Sequence, residues 1–138
     1  MVDDFGLCMV SNTRMAARAI TRRYDAYLKP HGLTSTQFSL LGGLREMAGA
    51  TVSEIAEARG FDRTTLTRNL DRLQDMGLVT SRHPEHGNGR LPQITAKGDA
   101  LIDQVLPLWR QAQAETRAEL SPATFDDSIK MLKRLAKV

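Results

Sequence analysis

The sequence has few of the features that mark secreted, membrane-bound or disulfide-bonded proteins. It holds one cysteine, Cys8, among 138 residues, so an internal disulfide is impossible and a reducing compartment is expected. No apolar run approaches the roughly 18–20 residues that a membrane span needs. The acidic residues 1–4 lack the basic and apolar segments of a secretory signal. These absences predict a cytoplasmic protein with no membrane partner.

Motifs for catalysis and cofactor binding are also missing. There is no nucleophile–base pair at a recognisable spacing and no glycine-rich phosphate loop. His83, Glu85 and His86 lie close together, but no further histidine or cysteine is near enough in sequence to complete a tetrahedral metal site. We therefore expect a binding protein rather than an enzyme, with no cofactor and no bound metal.

Charged side chains are distributed unevenly along the chain. The formal net charge is +3, and residues 11–30 carry an excess of basic side chains. Residues 51–92 contain six arginines and six acids, with no lysine, and are neutral overall. The planar guanidinium of arginine suits guanine edges and phosphates. Binding to nucleic acid would therefore depend on how these arginines are displayed, not on bulk charge.

Hydrophobic periodicity and capping signals predict six helices and one β-hairpin in a single domain, residues 1–138. Strand-like pieces at 79–82 and 91–94 flank a loop rich in turn-forming residues. Thr34 and Thr51 each begin a sequence that is typical of a capping box. The other expected caps and stops are Asp62, Gly77, Thr95 and Ser121. The predicted apolar stripe of the fifth helix consists of Leu101, Val105, Leu108, Trp109, Ala112 and Thr116.

The predicted fourth helix has one apolar face and one face of short polar and basic side chains. Leu66, Leu70 and Leu73 recur at helical spacing and should face the core. The opposite face begins at the positive end of the helix dipole, which attracts phosphate. Threonine can contact thymine methyl groups, and arginine can bind guanine with two hydrogen bonds. The residues predicted to contact DNA on this helix are Arg63, Thr64, Thr65, Thr67, Arg68 and Arg72.

Three segments resemble the MarR family of bacterial transcription regulators. They are residues 51–79, which contain the predicted third and fourth helices, GLTSTQF at 32–38, and ITAKG at 94–98. The resemblance implies a mostly α-helical, winged helix-turn-helix fold. Its DNA-binding part would be residues 34–94, and the terminal helices at 1–33 and 95–138 would form a homodimer. It also implies a regulator, most simply a repressor, that binds palindromic double-stranded DNA and is released by a ligand or an oxidant.

The predicted wing departs from the family pattern. The family usually carries Asp-x-Arg in this loop, and its arginine reaches into the minor groove. Alignment on Ile94 places Asn88 at the arginine position and His86 at the aspartate position, while Arg90 follows shortly after. Either Arg90 replaces the family arginine or the wing binds DNA more weakly. Asn88 and Arg90 complete the set of predicted DNA-binding residues.

The predicted signal is a small aromatic or phenolic acid, bound where the terminal helices meet the DNA-binding part. Arg14 and Arg18 are candidates for holding its carboxylate, and Trp109 for lining its pocket. One alternative is a redox-sensing regulator of the same fold that responds to oxidation of Cys8. Another is a winged-helix module that binds proteins and has lost DNA binding, which the neutral charge and the altered wing would allow.

Overall fold

The computed structural model describes residues 2–83 and 89–137 of the chain. Within these residues it contains six α-helices and one two-stranded antiparallel hairpin, in the predicted order. The helices and strands are α1 Met9–Leu28, α2 Ser35–Glu46, α3 Val52–Arg59, α4 Arg63–Asp75, β1 Val79–Arg82, β2 Leu91–Ile94, α5 Ala96–Leu120 and α6 Pro122–Leu135. The hairpin pairs Val79 with Ile94 and Arg82 with Leu91. We call β1, β2 and the connecting residues 83–90 the wing.

Side-chain caps fix where α2 and α3 begin. Thr34 and Gln37 exchange both bonds of a capping box, each at 3.1 Å. At Thr51 only half of the predicted box forms. The Thr51 hydroxyl accepts the Glu54 N–H as predicted, but the same hydroxyl also donates to the Glu54 carboxylate. That carboxylate therefore does not bond to the Thr51 N–H as predicted, although α3 still begins after Thr51.

One hydrophobic core joins α2, α3, α4 and the wing to α5. Leu66, Leu70 and Leu73 are fully buried in it, as their spacing predicts. The predicted stripe of α5 needs a correction, because Ile102 is buried whereas Leu101 is only half-buried. Gly98 packs against the Leu78 carbonyl, and Ile102 lies one turn further on the same face, so this contact sets the rotation of α5.

Polar side chains join the terminal helices to one another. Arg23 of α1 donates to Thr116 of α5 at 3.2 Å and pairs with Glu119. The hydrogen bond from Arg23 and its positive charge hold the pKa of the Glu119 carboxyl below its ordinary value. Arg117 of α5 pairs with Asp126 of α6 at 2.7 Å. These contacts fix α1, α5 and α6 as one unit, which we call the stem.

The stem keeps an exposed apolar face in the single chain. In the part of the chain that the structure describes, α6 has no buried residue. Among residues 2–83 and 89–137, no helix has an apolar stretch of the length that crossing a membrane requires. The exposed large apolar residues of the stem are Met9, Val10, Met15, Ile20, Leu120, Ile129, Met131, Leu132 and Leu135, and Phe5 and Leu7 lie just before α1.

Candidate nucleic-acid interface

The solvent-facing side of α4 forms a shallow groove of about 420 Å³, bordered by short polar and charged side chains. It lies opposite the buried leucines of the same helix. The structure brings four of the predicted DNA-binding residues to this groove, together with one carboxylate. The lining residues are Arg63, Thr64, Thr67, Arg68 and Asp71.

Asp62 caps the start of α4 and binds Thr65 through two hydrogen bonds. Its carboxylate accepts the Thr65 N–H at 2.8 Å and the Thr65 hydroxyl at 2.6 Å. These bonds from Thr65, the hydroxyl first and then the N–H, lower the pKa of Asp62. Thr65 is half-buried. Its hydroxyl therefore serves the helix cap, unlike those of Thr64 and Thr67, which lie on the groove.

The two basic residues predicted beyond this groove have different surroundings. Arg72 is exposed, one turn after Arg68, and is not part of the groove lining. Arg90, at the base of the wing, points its guanidinium at α4 and β1. It donates to Asp71 at 2.8 Å, to Gln74 at 2.9 Å and to Ser81 at 2.7 Å. Asn88, like Glu85 and His86, lies outside the described residues.

A second cavity, of about 470 Å³, lies between α1 and α5 of the stem and the helices α2 and α3. Its apolar wall includes Phe38 and Trp109, whose ring centroids are 6.2 Å apart. Arg45 and Arg59 lie at its polar side, and sequence reasoning missed both. Arg45 had a weak signal, because Asp99 and Asp103 lie four residues apart on α5, and the repulsion between two carboxylates on one helix face favours a cation beside them.

These two arginines are already engaged with acids. Arg45 bonds the carboxylates of Asp99 and Asp103, each at 2.9 Å, and the Asp99 carbonyl at the same distance. Arg59 pairs with Glu46. Arg45 thus joins α2 to α5, whereas Arg59 has one carboxylate partner within residues 2–83 and 89–137.

The remaining candidates lie on the stem, away from this cavity. Arg14 and Arg18 are exposed in the first half of α1, whereas the cavity opens beside Tyr24 and Leu28 at the other end of that helix. The structure therefore does not place these two arginines with Trp109. Cys8 is exposed immediately before α1. The Ser11 N–H, the Ser11 hydroxyl and the Val10 N–H lower the pKa of its thiol.

A helix-turn-helix followed by a hairpin, with an arginine- and threonine-lined groove on its second helix, defines a winged-helix protein. Comparison with known proteins places it more narrowly. The sequence model of the MarR family matches residues 31–88. The multiple antibiotic resistance protein MarR of Escherichia coli is 32% identical over 117 residues, which are 84% of this chain and 79% of that protein. The chain therefore belongs to the MarR family of transcription regulators.

Solved structures agree with this assignment. The transcriptional regulator MosR of M. tuberculosis, in complex with DNA, is 39% identical with a TM-score of 0.81, over 94% of this chain and 96% of that chain. BpsR of Bordetella bronchiseptica is 21% identical and shares the fold, with a TM-score of 0.89 over 100% of this chain and 99% of that chain. The mostly helical winged helix-turn-helix expected from the sequence is confirmed.

Proposed function

We propose that this protein is a cytoplasmic transcription repressor that binds palindromic DNA as a homodimer and catalyses no reaction. The observation that carries the proposal is the groove on α4, where Arg63, Thr64, Thr67 and Arg68 face solvent next to a helix N-terminus. Short threonines let a helix approach base edges, and arginines supply bonds to guanine and phosphate. Among its relatives is the transcriptional regulator MosR, and solved structures of MosR, of a mutant MarR from E. coli and of MepR from S. aureus hold DNA.

The exposed apolar face of the stem supports the dimer. Ile129, Leu132 and Leu135 lie on one side of α6 and are each about two-fifths exposed or more. A contiguous apolar surface of this kind marks a site of protein association. An isologous two-fold pairing would cover it with a second copy and place the two α4 helices about one DNA turn, roughly 34 Å, apart.

The DNA-binding proposal is tested by selecting duplexes from a random-sequence library and measuring affinity by fluorescence anisotropy. We expect an inverted repeat. Arg68→Ala should cost about 1–3 kcal/mol on the selected duplex and relax preference at one or two positions. Arg72→Ala should weaken selected and scrambled duplexes alike and reduce the salt slope by about one unit per contact. Failure of the protein to enrich any duplex would support the protein-binding alternative instead.

The cavity between stem and DNA-binding part is the proposed effector site, and a small aromatic acid is the proposed effector. Phe38, Leu106 and Trp109 offer an apolar wall for a ring. Arg59 is the proposed partner of the carboxylate, because an acid needs to displace only Glu46 from it, whereas Arg45 is held by three bonds to α5. In BpsR, DNA binding is regulated by 6-hydroxynicotinic acid.

Trp109 is the one tryptophan of the chain, so a change in tryptophan fluorescence comes from the wall of this cavity. We expect 6-hydroxynicotinic acid to change that fluorescence and its uncharged amide to bind more weakly. Arg59→Gln should weaken binding of the acid, while Arg18→Gln, on the exposed part of α1, serves as the matched control. Operator DNA should lower affinity for the acid by the same factor by which the acid lowers affinity for DNA. An unchanged DNA affinity at saturating acid would contradict an effector role.

A second candidate input is oxidation of Cys8. Its exposure and lowered thiol pKa are the properties that make a cysteine reactive. A hydroperoxide would convert the thiolate to a sulfenic acid, which can form a mixed disulfide with a small thiol. Cys8→Ser should abolish any effect of peroxide on DNA affinity while leaving the response to the acid intact. A response to peroxide that persists in Cys8→Ser would exclude this input.

A further inference from the structure

Arg90 is the most fully engaged cation of the wing base. Its three bonds use three different guanidinium nitrogens and end on three different side chains. Asp71 and Gln74 belong to α4, and Ser81 belongs to β1. The side chain is only 18% exposed, which is low for an arginine at the edge of a DNA-binding surface. A group held in this way has little freedom to reach into a neighbouring groove of DNA.

The backbone at Arg90 adds a fourth connection. Its carbonyl accepts the Val52 N–H at 3.2 Å, so this one residue, which directly precedes β2, bonds to the start of α3, to β1 and to the second half of α4. Gly89, which precedes it, has a φ of 142°. Glycine adopts a positive φ at no steric cost, so Gly89 suits the position directly before Arg90.

Asp71 is the key partner, because it also lines the groove on α4. A free carboxylate at that position would repel DNA phosphates. The ion pair with Arg90 compensates its charge at 2.8 Å. Gln74 is similarly occupied, since its side-chain oxygen accepts from Arg90 at 2.9 Å and from Ser81 at 3.2 Å.

We propose that Arg90 is a positioning residue that fixes the wing to the DNA-binding helix α4 through Asp71 and Gln74, and is not itself the wing's DNA contact. This inference goes beyond the proposed function and rests on it. The sequence left open whether Arg90 replaces the arginine that the family carries at the position of Asn88. The geometry gives Arg90 an internal role, which makes operator affinity depend on the relative placement of α4 and the wing.

Asp71→Asn separates the two roles, because each role predicts the opposite change in DNA affinity. If Arg90 contacted DNA and Asp71 merely competed for it, Asp71→Asn would free the guanidinium, remove a negative charge and tighten binding. If the pair positions the wing, Asp71→Asn should weaken binding to the selected duplex by about tenfold, the size of a lost coupling between contacting residues. The matched control is Asp75→Asn on the same helix, an exposed carboxylate that has no ion pair in the described part of the chain. It should leave affinity unchanged or raise it slightly.

The salt dependence of binding gives an independent readout. A phosphate contact contributes about 0.9 to the slope of log affinity against log salt. Arg90→Gln should weaken binding to the selected duplex by about tenfold. Because this change also leaves the Asp71 carboxylate unpaired on the groove, its effect on the slope is measured in the Asp71→Asn background, where the slope should be unchanged. Arg72→Gln should instead lower the slope by about 0.9 per contact. Arg90→Lys should not rescue affinity, because one ammonium cannot replace three bonds from a planar fork, although it would preserve most of a phosphate contact.

A double-mutant cycle completes the test in the full-length protein. Asp71→Asn with Arg90→Gln should be no weaker than the worse single variant, since both remove the same interaction. Circular dichroism confirms that each variant is folded, and Asp71→Asn alone carries the test if Arg90→Gln does not fold. Tighter binding by Asp71→Asn, or a slope lowered by about 0.9 or more when Arg90→Gln is added to Asp71→Asn, would overturn the proposal. A wild-type protein that selects no duplex would refute the proposed function itself and this inference with it.

Discussion

Gly98→Ala gives the sharpest test of how the DNA-binding part is attached to the stem. A Cβ at Gly98 would lie 2.3 Å from the Leu78 carbonyl oxygen and 2.8 Å from Ile94. Ordinary contact begins about 1 Å further out than the first of these distances. The carbonyl is held in place, because it accepts the Thr95 N–H at 3.0 Å. The added methyl group therefore has to push α5 away from the wing.

Two effects of opposite sign determine how much Gly98→Ala changes the free energy of unfolding. Overpacking of a rigid contact costs about 1–3 kcal/mol, whereas alanine is favoured over glycine within a helix by up to about 1 kcal/mol. The expected net loss is therefore about 1–2 kcal/mol, because the backbone clash outweighs the gain in helix propensity. For a chain of this size that corresponds to a melting temperature lower by roughly 4–8 °C.

The matched control is Gly42→Ala in α2. Nothing lies within 4 Å of a Cβ at Gly42, so only the propensity gain applies and the melting temperature should rise by a few degrees. Both variants are compared with the wild type by circular dichroism at equal protein concentration, because the melting temperature of a dimer depends on it. A Gly98→Ala protein that melts at or above the wild-type temperature would refute the contact argument.

Three further predictions concern the cap of α4, the junction and the stem. Bonds from Thr65 lower the pKa of Asp62, so the stabilising effect of the Asp62 carboxylate should be present at neutral pH and lost as the pH falls below about 4. Asp62→Ala should therefore make the free energy of unfolding less dependent on pH in this acidic range. Arg45→Gln should destabilise the protein and weaken DNA binding, since it removes two ion pairs between α2 and α5; wild-type melting and affinity would exclude this role. Leu132→Asp should shift light scattering from dimer to monomer at micromolar concentration, and an unchanged mass would rule out the proposed α6 interface.

Local chemistry carried most of the prediction of the fold. Helix periodicity, the caps at Thr34, Asp62 and Thr95, and the stop at Gly77 involve residues close in sequence, so they can be read from it directly. The polar face of α4 was predictable for the same reason, because helix geometry alone decides which residues lie opposite the buried leucines. Those features predicted the helices, the hairpin and a candidate nucleic-acid face, and the resemblance to the MarR family implied their arrangement as a winged helix.

Contacts between distant parts of the chain were decided by the tertiary structure. Arg90 and Asp71 are 19 residues apart, and only the packing of the wing on α4 shows that the arginine turns inward, where sequence reasoning offered it as a DNA contact. The rotation of α5 depends on the approach of Gly98 to Leu78. Likewise, Arg45 and Arg59 come to the cavity, while Arg14 and Arg18 stay outside it. Sequence patterns specify each helix and strand, but the partner of a long charged side chain depends on which helices and strands pack beside it.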